Sequence, residues 1–343
     1  MARRPLPRHR APGRGTEVPA HGLARTRNPW VTAVIVLATV LALVTAGGFG
    51  AIAYLNASRH VIANPLSTRP VPKYGAENIL LLGSDTRGTI ETGATAENPT
   101  TAEGNRSDTM LLVHIPADRK SVQIITLLRD MYVPIKDNGK GKLNWAMFFG
   151  GVPLAVDTVE NLLDTKINHV VLVDFTGVQK IATALRGVTI NNPTAFSYGG
   201  YDFPQGSITV KGASALAFVR GRHAFAEGDR KRVLNQQLFI QAAVNKALSG
   251  GTLTDPVAVT KVFNAIKDSL AVDAGIDVGY ITKLATSFIG RSAQDARFMV
   301  LPTKGQFSRG PHTFWNVDED QLAVIRYGLA TDSLNLYTPP ATQ

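Results

Sequence analysis

The sequence predicts an α/β domain, a three-layer α/β/α sandwich around a mixed central sheet, preceded by one transmembrane helix. Three observations lead there: short β-branched and leucine-rich runs, helical patterns between and after them, and an apolar stretch at 31–55 without a single charge. Strands that alternate with helices give a layered α/β domain, although mixed spacings leave the strand order open.

The strand-like runs are ENILLLGSD (77–85), DTMLLVHIP (108–116), KSVQIITLLRD (120–130) and NHVVLVDF (168–175). Several are apolar on both faces, as central strands covered by helices must be. Helices are expected at 153–163, after a glycine pair, and at 176–185. Another is expected at 229–248, where Val233, Leu238, Phe239, Ala242 and Ala243 form an apolar stripe. Further helices are expected at 255–270, 276–289 and 317–330. The small, polar, acidic stretch 89–105 reads as a surface loop.

The formal charge of +10 raises the question of nucleic acid. Residues 1–29 hold seven arginines and only Glu17 as an acid, leaving 29 basic and 25 acidic residues elsewhere. The body thus carries only about +4. No recognition helix or aromatic-basic interleaving accompanies the tail, so nucleic acid is not an expected partner.

Rich in Pro, Gly and Arg, residues 1–29 cannot bury a core and are expected to form a disordered basic tail. At ~1.5 Å per residue the helix at 30–55 is long enough to cross a hydrocarbon core of ~30 Å. Its arginine-rich N-terminal flank orients the tail to the cytoplasm and the rest of the chain outside, in contact with membrane lipid. Residues 56–76, with Pro65, Pro70 and Pro72, read as a linker. The catalytic domain is then 77–335, and 336–343 a C-terminal tail. The absence of cysteine excludes disulfides, thiolate metal sites and a cysteine nucleophile.

Four polar clusters stand beside the apolar runs, each weak alone. Asp85 and Arg87 (GSDTRG) follow the first run directly, at the strand end where α/β proteins place ligands, though an ordinary turn would look the same. Arg106 and Asp108 have the period-two spacing of one strand face, which a simple salt bridge would also explain. Arg129 and Asp130 end the third run, and Lys142 and Asn144 follow in GKLNWAMFFGG; lone surface charges are the bland alternative.

The fourth cluster, AFVRGRHAFAEGDRKRVLNQQ, changes period partway: Arg220 and Arg222 would share a strand face, whereas Asp229, Arg232 and Gln236 share a helix face. Asp229 has a capping role open to it; Arg232 and Gln236 do not. Arginines and aspartates without a Ser-His-Asp or His-rich constellation suit phosphate chemistry, since guanidinium forks bind phosphate oxygens and carboxylates hold Mg²⁺. The histidines lack ligand spacings such as HxxxH, and His223 beside Arg222 is not expected to hold zinc.

In order and spacing these clusters resemble the LytR-CpsA-Psr family of cell-wall glycopolymer transferases. The resemblance rests on GSDTR, RSDTM, LLRD, KLN with Gly150-Gly151, and RGRH with GDRKRVLNQ, spread over most of 77–248. It implies that Asp85 and Asp108 hold Mg²⁺ and that Arg87, Arg106, Arg129, Arg220, Arg222, Arg232 and Gln236 surround a pyrophosphate. Asp229 and Asp130 would orient arginines or assist proton transfer, with Lys142, Asn144 and Asn235 as further candidates. It also implies a polyprenyl-pyrophosphate-linked glycopolymer as donor and a muramic acid hydroxyl of peptidoglycan as acceptor.

The sequence departs from the family pattern at Leu128, at Trp145, where a histidine is usual, and at Arg186-Gly187, in place of a glycine pair. High Ala, Arg and Val content hints at an actinobacterial type. A pyrophosphatase and a non-catalytic wall-polymer-binding regulator are the alternative functions, and the identity of the polymer is not legible.

Overall fold

The structure is a computed structural model, and it describes residues 53–54, 56–71, 74–84, 107–221, 229–249, 264–287 and 296–339. The expected tail, the membrane span apart from 53–54, and the loop at 89–105 lie outside these residues. No helix among the described residues is long and apolar enough to cross a membrane.

The chain runs β1 (His60–Val61), β2 (Glu77–Ser84), β3 (Ser107–Ile115), β4 (Val122–Leu127), β5 (Tyr132–Ile135), β6 (Gly139–Lys142), α1 (Trp145–Leu163), β7 (His169–Asp174) and α2 (Phe175–Ala184). It continues through β8 (Val188–Asn192), β9 (Phe196–Tyr198), β10 (Tyr201–Phe203), β11 (Gly206–Val210), α3 (Ala213–Arg220) and α4 (Asp229–Ser249). The last elements are β12 (Leu270–Val272), α5 (Val278–Ser287), β13 (Ala296–Val300), β14 (Thr303–Arg309), β15 (His312–Val317) and α6 (Glu319–Ala330).

Seven strands form one mixed sheet in the order β1-β12-β7-β2-β3-β4-β13. Strands β7, β2, β4 and β13 share one direction and β3 runs against them. The carboxyl ends of β2, β4 and β7 and the amino end of β3 therefore meet at one edge. The expected mixed α/β sheet is present.

Side chains alternate along each strand, so each run feeds two faces. Leu80, Leu82, Met110, Leu112, Ile125, Leu127, Val170 and Leu172 form one apolar cluster with Val152, Val156, Val159 and Leu163 of α1 and Leu322, Ile325 and Leu329 of α6. Helix α2 covers the opposite face, where Gly177 lies so near Val173 that a Cβ there would stand 2.9 Å from its Cγ1. A second core joins α2, β8–β11, α3 and α4 around Phe196, Phe203 and Phe218, whose ring centroids lie 4.8–5.5 Å apart.

Two expectations change. The supposed linker is packed into the domain: β1 pairs with β12 in parallel, Ile62 is buried, and the Lys166 ammonium donates to the Ser67 carbonyl at 2.5 Å. Its prolines suggest a solvated linker, but the described part of this stretch packs against the sheet through His60–Val61 and Ile62. Second, Arg220 is the last residue of helix α3, not part of a strand. The run AFVR is too short for periodicity to separate strand from helix.

At the end of the sheet away from the polar clusters, the Asp273 carboxylate accepts from the Val170 and Gly275 amides at 2.8 and 2.7 Å and lies 3.2 Å from His169 Nδ1. Burial alone would raise its pKa, but these donors outweigh burial and hold it below the ordinary carboxylate value.

His114, the last residue but one of β3, is wholly buried. Its Nδ1 lies 2.8 Å from Asn78 Oδ1, while the Asn78 amide nitrogen donates to Thr165 Oγ1 and the Lys166 carbonyl. Burial depresses the imidazole pKa although Asp332 Oδ1 stands 3.3 Å from Nε2, so the folded state favours neutral His114. Below about pH 6.5 the unfolded chain takes up a proton that the folded chain resists, so stability falls with pH there. In His114→Gln, the decline of ΔG of unfolding between pH 7 and 5, measured by urea titration, is expected to be shallower than in the unmodified chain.

Candidate active site

Strand β4 ends at Leu127, and the chain turns through Leu128, Arg129 and Asp130 at the edge where β2 and β7 also end. The β5–β6 hairpin then folds back, and the Asn144 amide donates to the Arg129 carbonyl at 3.0 Å and the Leu143 amide to the Met131 carbonyl at 2.9 Å. From the other side, the Trp315 amide of β15 donates to the Asp130 carbonyl at 2.9 Å. The backbone on both sides of Arg129 and Asp130 is thereby fixed.

This return brings Lys142 Nζ to 2.8 Å from Asp130 Oδ1, while Arg129 Nε lies 3.4 Å from Asp130 Oδ2. One carboxylate thus holds two cations in place, all three only partly exposed, and Lys142 also lies 5.7 Å from the Phe314 ring centroid. Among the described residues this turn presents two cations and one anion, side chains able to meet an anionic ligand.

Helix α4 approaches the same turn. Arg232 and Gln236, one turn apart and each nearly buried, line a gap of ≈10 Å³ together with Arg129, Asp130, Thr109 and Thr126. That space is about one water. Gln237 donates to Thr126 Oγ1 at 2.8 Å, which anchors the helix to β4. The structure therefore brings Arg129, Asp130, Lys142, Asn144, Arg232 and Gln236 to one neighbourhood. Asn235 serves the fold instead: its amide nitrogen donates to the Phe218 carbonyl at 3.2 Å, tying α4 to α3.

Asp85, Arg87, Arg106, Arg222 and His223 lie outside the described residues, as do the side chains of Asp108 and Asp229. The strands that carry the two expected metal ligands are described: Ser84, before Asp85, is the register partner of Ser107, before Asp108. Ser84 is also the register partner of Asp174 on β7. Asp174 caps α2 by accepting from the Gly177 amide at 2.7 Å and Thr176 Oγ1 at 2.8 Å, both through Oδ1. Its Oδ2 is buried without a hydrogen-bond partner. The sequence signals the cap, an aspartate three residues before glycine at the head of a helix, but not the orphaned oxygen.

Beside Arg129 and Asp130 opens a cleft of ≈330 Å³, lined by these two, Lys142, Asn144, Trp145, Phe148, Phe149 and His312. His312 opens β15 and meets Trp145 edge to face at 5.2 Å. The sequence pattern does not single out Phe148, Phe149 or His312. The two phenylalanines lie before the helix expected at 153–163, and only the tertiary fold brings the β14–β15 hairpin to them.

The sequence profile of the LytR_cpsA_psr family matches residues 55–331. A protein of Enterococcus faecalis named polyisoprenyl-teichoic acid–peptidoglycan teichoic acid transferase TagU is 33% identical over 258 residues, 74% of this chain and 78% of that protein. A protein of the same name from Oceanobacillus iheyensis is 35% identical over 221 residues, 63% of either chain.

Among solved structures, B. subtilis TagV superposes with a TM-score of 0.63 at 22% identity, covering 78% of this chain and 100% of that one. TagT bound to LI-WTA gives 0.60 at 22% identity, covering 80% and 98%. At such identities the superpositions speak for the fold, and the family profile for descent: the chain belongs to the LytR_cpsA_psr family.

Proposed function

We propose that this protein transfers a glycopolymer from a polyprenyl-pyrophosphate carrier onto peptidoglycan, forming a phosphodiester. The observation that carries this reading is the cationic cluster of Arg129 and Lys142 around Asp130, with Arg232 and Gln236 beside it, at the carboxyl ends of the central strands. Ligands of open α/β sheets bind there. The names of the two relatives point to the same donor and acceptor classes.

In the reaction, a hydroxyl oxygen of the acceptor bonds to the sugar-bearing phosphorus. The bond from that phosphorus to the bridging oxygen breaks, polyprenyl phosphate leaves, and the hydroxyl proton is released to water. Little covalent chemistry is asked of the protein, so positioning and charge stabilisation do most of the catalysis. Arg129 and Arg232 would grip phosphate oxygens, Gln236 would donate to them, and Asp130 would keep Arg129 and Lys142 aimed at the ligand. Arg87, Arg106, Arg220 and Arg222 would complete the pyrophosphate site, with Asp229 orienting them.

Asp85 and Asp108 would hold Mg²⁺: β2 and β3 pair through the residues just before them, Ser84 and Ser107, and β7 brings the orphaned, buried Asp174 Oδ2 to the same sheet edge, an acceptor that suits a cation. A bound Mg²⁺ would neutralise pyrophosphate charge there. Residues 30–55 would anchor the chain in the membrane, with the arginine-rich tail cytoplasmic and the domain outside.

The test uses the full chain in lipid nanodiscs, a short-chain polyprenyl-pyrophosphoryl sugar, peptidoglycan fragments and Mg²⁺, with release of polyprenyl monophosphate followed over time. Release together with a sugar-phosphate adduct on the glycan is the expected result. Release without an adduct would make the protein a pyrophosphatase, and tight binding without release a non-catalytic binder.

A further inference from the structure

We propose that the aromatic cleft beside Arg129 is a subsite for a pyranose ring of the reacting glycans, a reading that rests on the proposed transfer. Its walls are built for a ring. Trp145 stands edge to face with His312 at 5.2 Å and with Phe149 at 6.2 Å, and Phe148 meets Phe149 at 5.4 Å, so the ring planes lie at steep angles to one another. Phe149 is 38% exposed and lines the cleft, so its ring is open to a ligand there.

The polar lining selects among occupants. Asn144 is 4% exposed, and its Oδ1 is buried without a hydrogen-bond partner, so it can accept from a ligand hydroxyl. Asp130 supplies a carboxylate acceptor, and Lys142 and Arg129 supply donors. A prenyl chain would cover these groups and satisfy none of them. A phosphate would gain nothing from the aromatic rings.

A pyranose matches both halves. Its C–H faces lie against aromatic rings while its rim hydroxyls both donate and accept. The volume of ≈330 Å³ is at the small end for ligand pockets, which suits a single ring. The location agrees as well, since Arg129 and Asp130 line both this cleft and the gap beside Arg232, which puts a sugar here next to a phosphate there.

The experiment measures binding to the full chain in nanodiscs, by calorimetry, of three probes: the N-acetylglucosaminyl–N-acetylmuramic acid disaccharide, farnesyl pyrophosphate, and farnesyl-pyrophosphoryl N-acetylglucosamine. Phe149→Ser and His312→Ala, both at the surface of the cleft, are compared with the unmodified chain, and Trp145→Phe serves as the conservative control. The expected result is at least a tenfold loss of affinity for a sugar-bearing probe, with farnesyl pyrophosphate unchanged within twofold.

Loss confined to the disaccharide assigns the ring to the acceptor, and loss confined to the farnesyl-linked sugar assigns it to the donor. Equal loss for farnesyl pyrophosphate would make this a lipid groove, and no loss for any probe would leave the aromatic cluster purely structural; either overturns the proposal. The two readings separate cleanly. Sugar binding without transfer would sink the transferase and keep the subsite, whereas transfer with unaltered glycan KM in both variants would do the reverse.

Discussion

Arg129→Ala is expected to lower kcat/KM for transfer by about 100- to 1,000-fold, the usual cost of removing one preorganised donor from developing charge. Arg129 sits where the two cavities meet, on a turn whose carbonyl is held by the Asn144 amide and whose neighbour's carbonyl is held by the Trp315 amide. Its position is thus fixed by backbone and not by the substrate. The loss should come mainly in kcat, because a cation fixed in advance contributes most when charge builds on the leaving phosphate.

The fold should survive the substitution. Asp130 keeps Lys142 at 2.8 Å, so its carboxylate is not left without a cation. Arg129→Lys should recover only part of the rate, since an ammonium lacks the planar fork that grips two oxygens. Rates from the polyprenyl monophosphate assay, set beside thermal melts, check this. A melt unchanged together with a rate within threefold of the unmodified chain would remove Arg129 from the catalytic machinery.

Much of this site was legible because its signals are local. Several of the runs that became β2, β3, β4 and β7 are apolar on both faces, and charged residues stand at one end of each, which is the pattern of a ligand edge on a covered sheet. The stripe in α4 put Arg232 and Gln236 on one face, and both line the gap beside Arg129. What escaped depends on contacts between distant segments. His312 reaches Trp145 only because β14 and β15 fold over the β5–β6 hairpin.

Arg220 was misplaced for a related reason: four apolar-rich residues carry no usable period, and packing of α3 against α2 and α4 decides that they are helical. At 56–76 proline content points to a linker and says nothing of what the backbone lies against. Ile62 is 3% exposed, so a truncation starting at Glu77 would remove an edge strand and a core residue together.

Gly151→Val is expected to destabilise the domain by about 2–3 kcal/mol, and the cause lies in the path of α1. Gly150 and Gly151 interrupt that helix with non-helical backbone, and Gly151 has φ 62° and ψ −155°, a region essentially closed to residues with a Cβ. A β-branched side chain is the least tolerant there. The interruption separates two tasks. Before it, one short turn points Trp145, Phe148 and Phe149 into the cleft; after it, Val152, Val156, Val159 and Leu163 enter the core. Pro153 suits the start of the second segment, where the first amides have no intrahelical partner to lose. A continuous helix would rotate one set out of place. Gly151→Val should therefore lower the melting temperature by several degrees and weaken disaccharide binding in the same protein, whereas relief of the strain by a straightened helix would keep stability and abolish binding. An unchanged melt with unchanged binding would mean that the kink carries neither strain nor purpose.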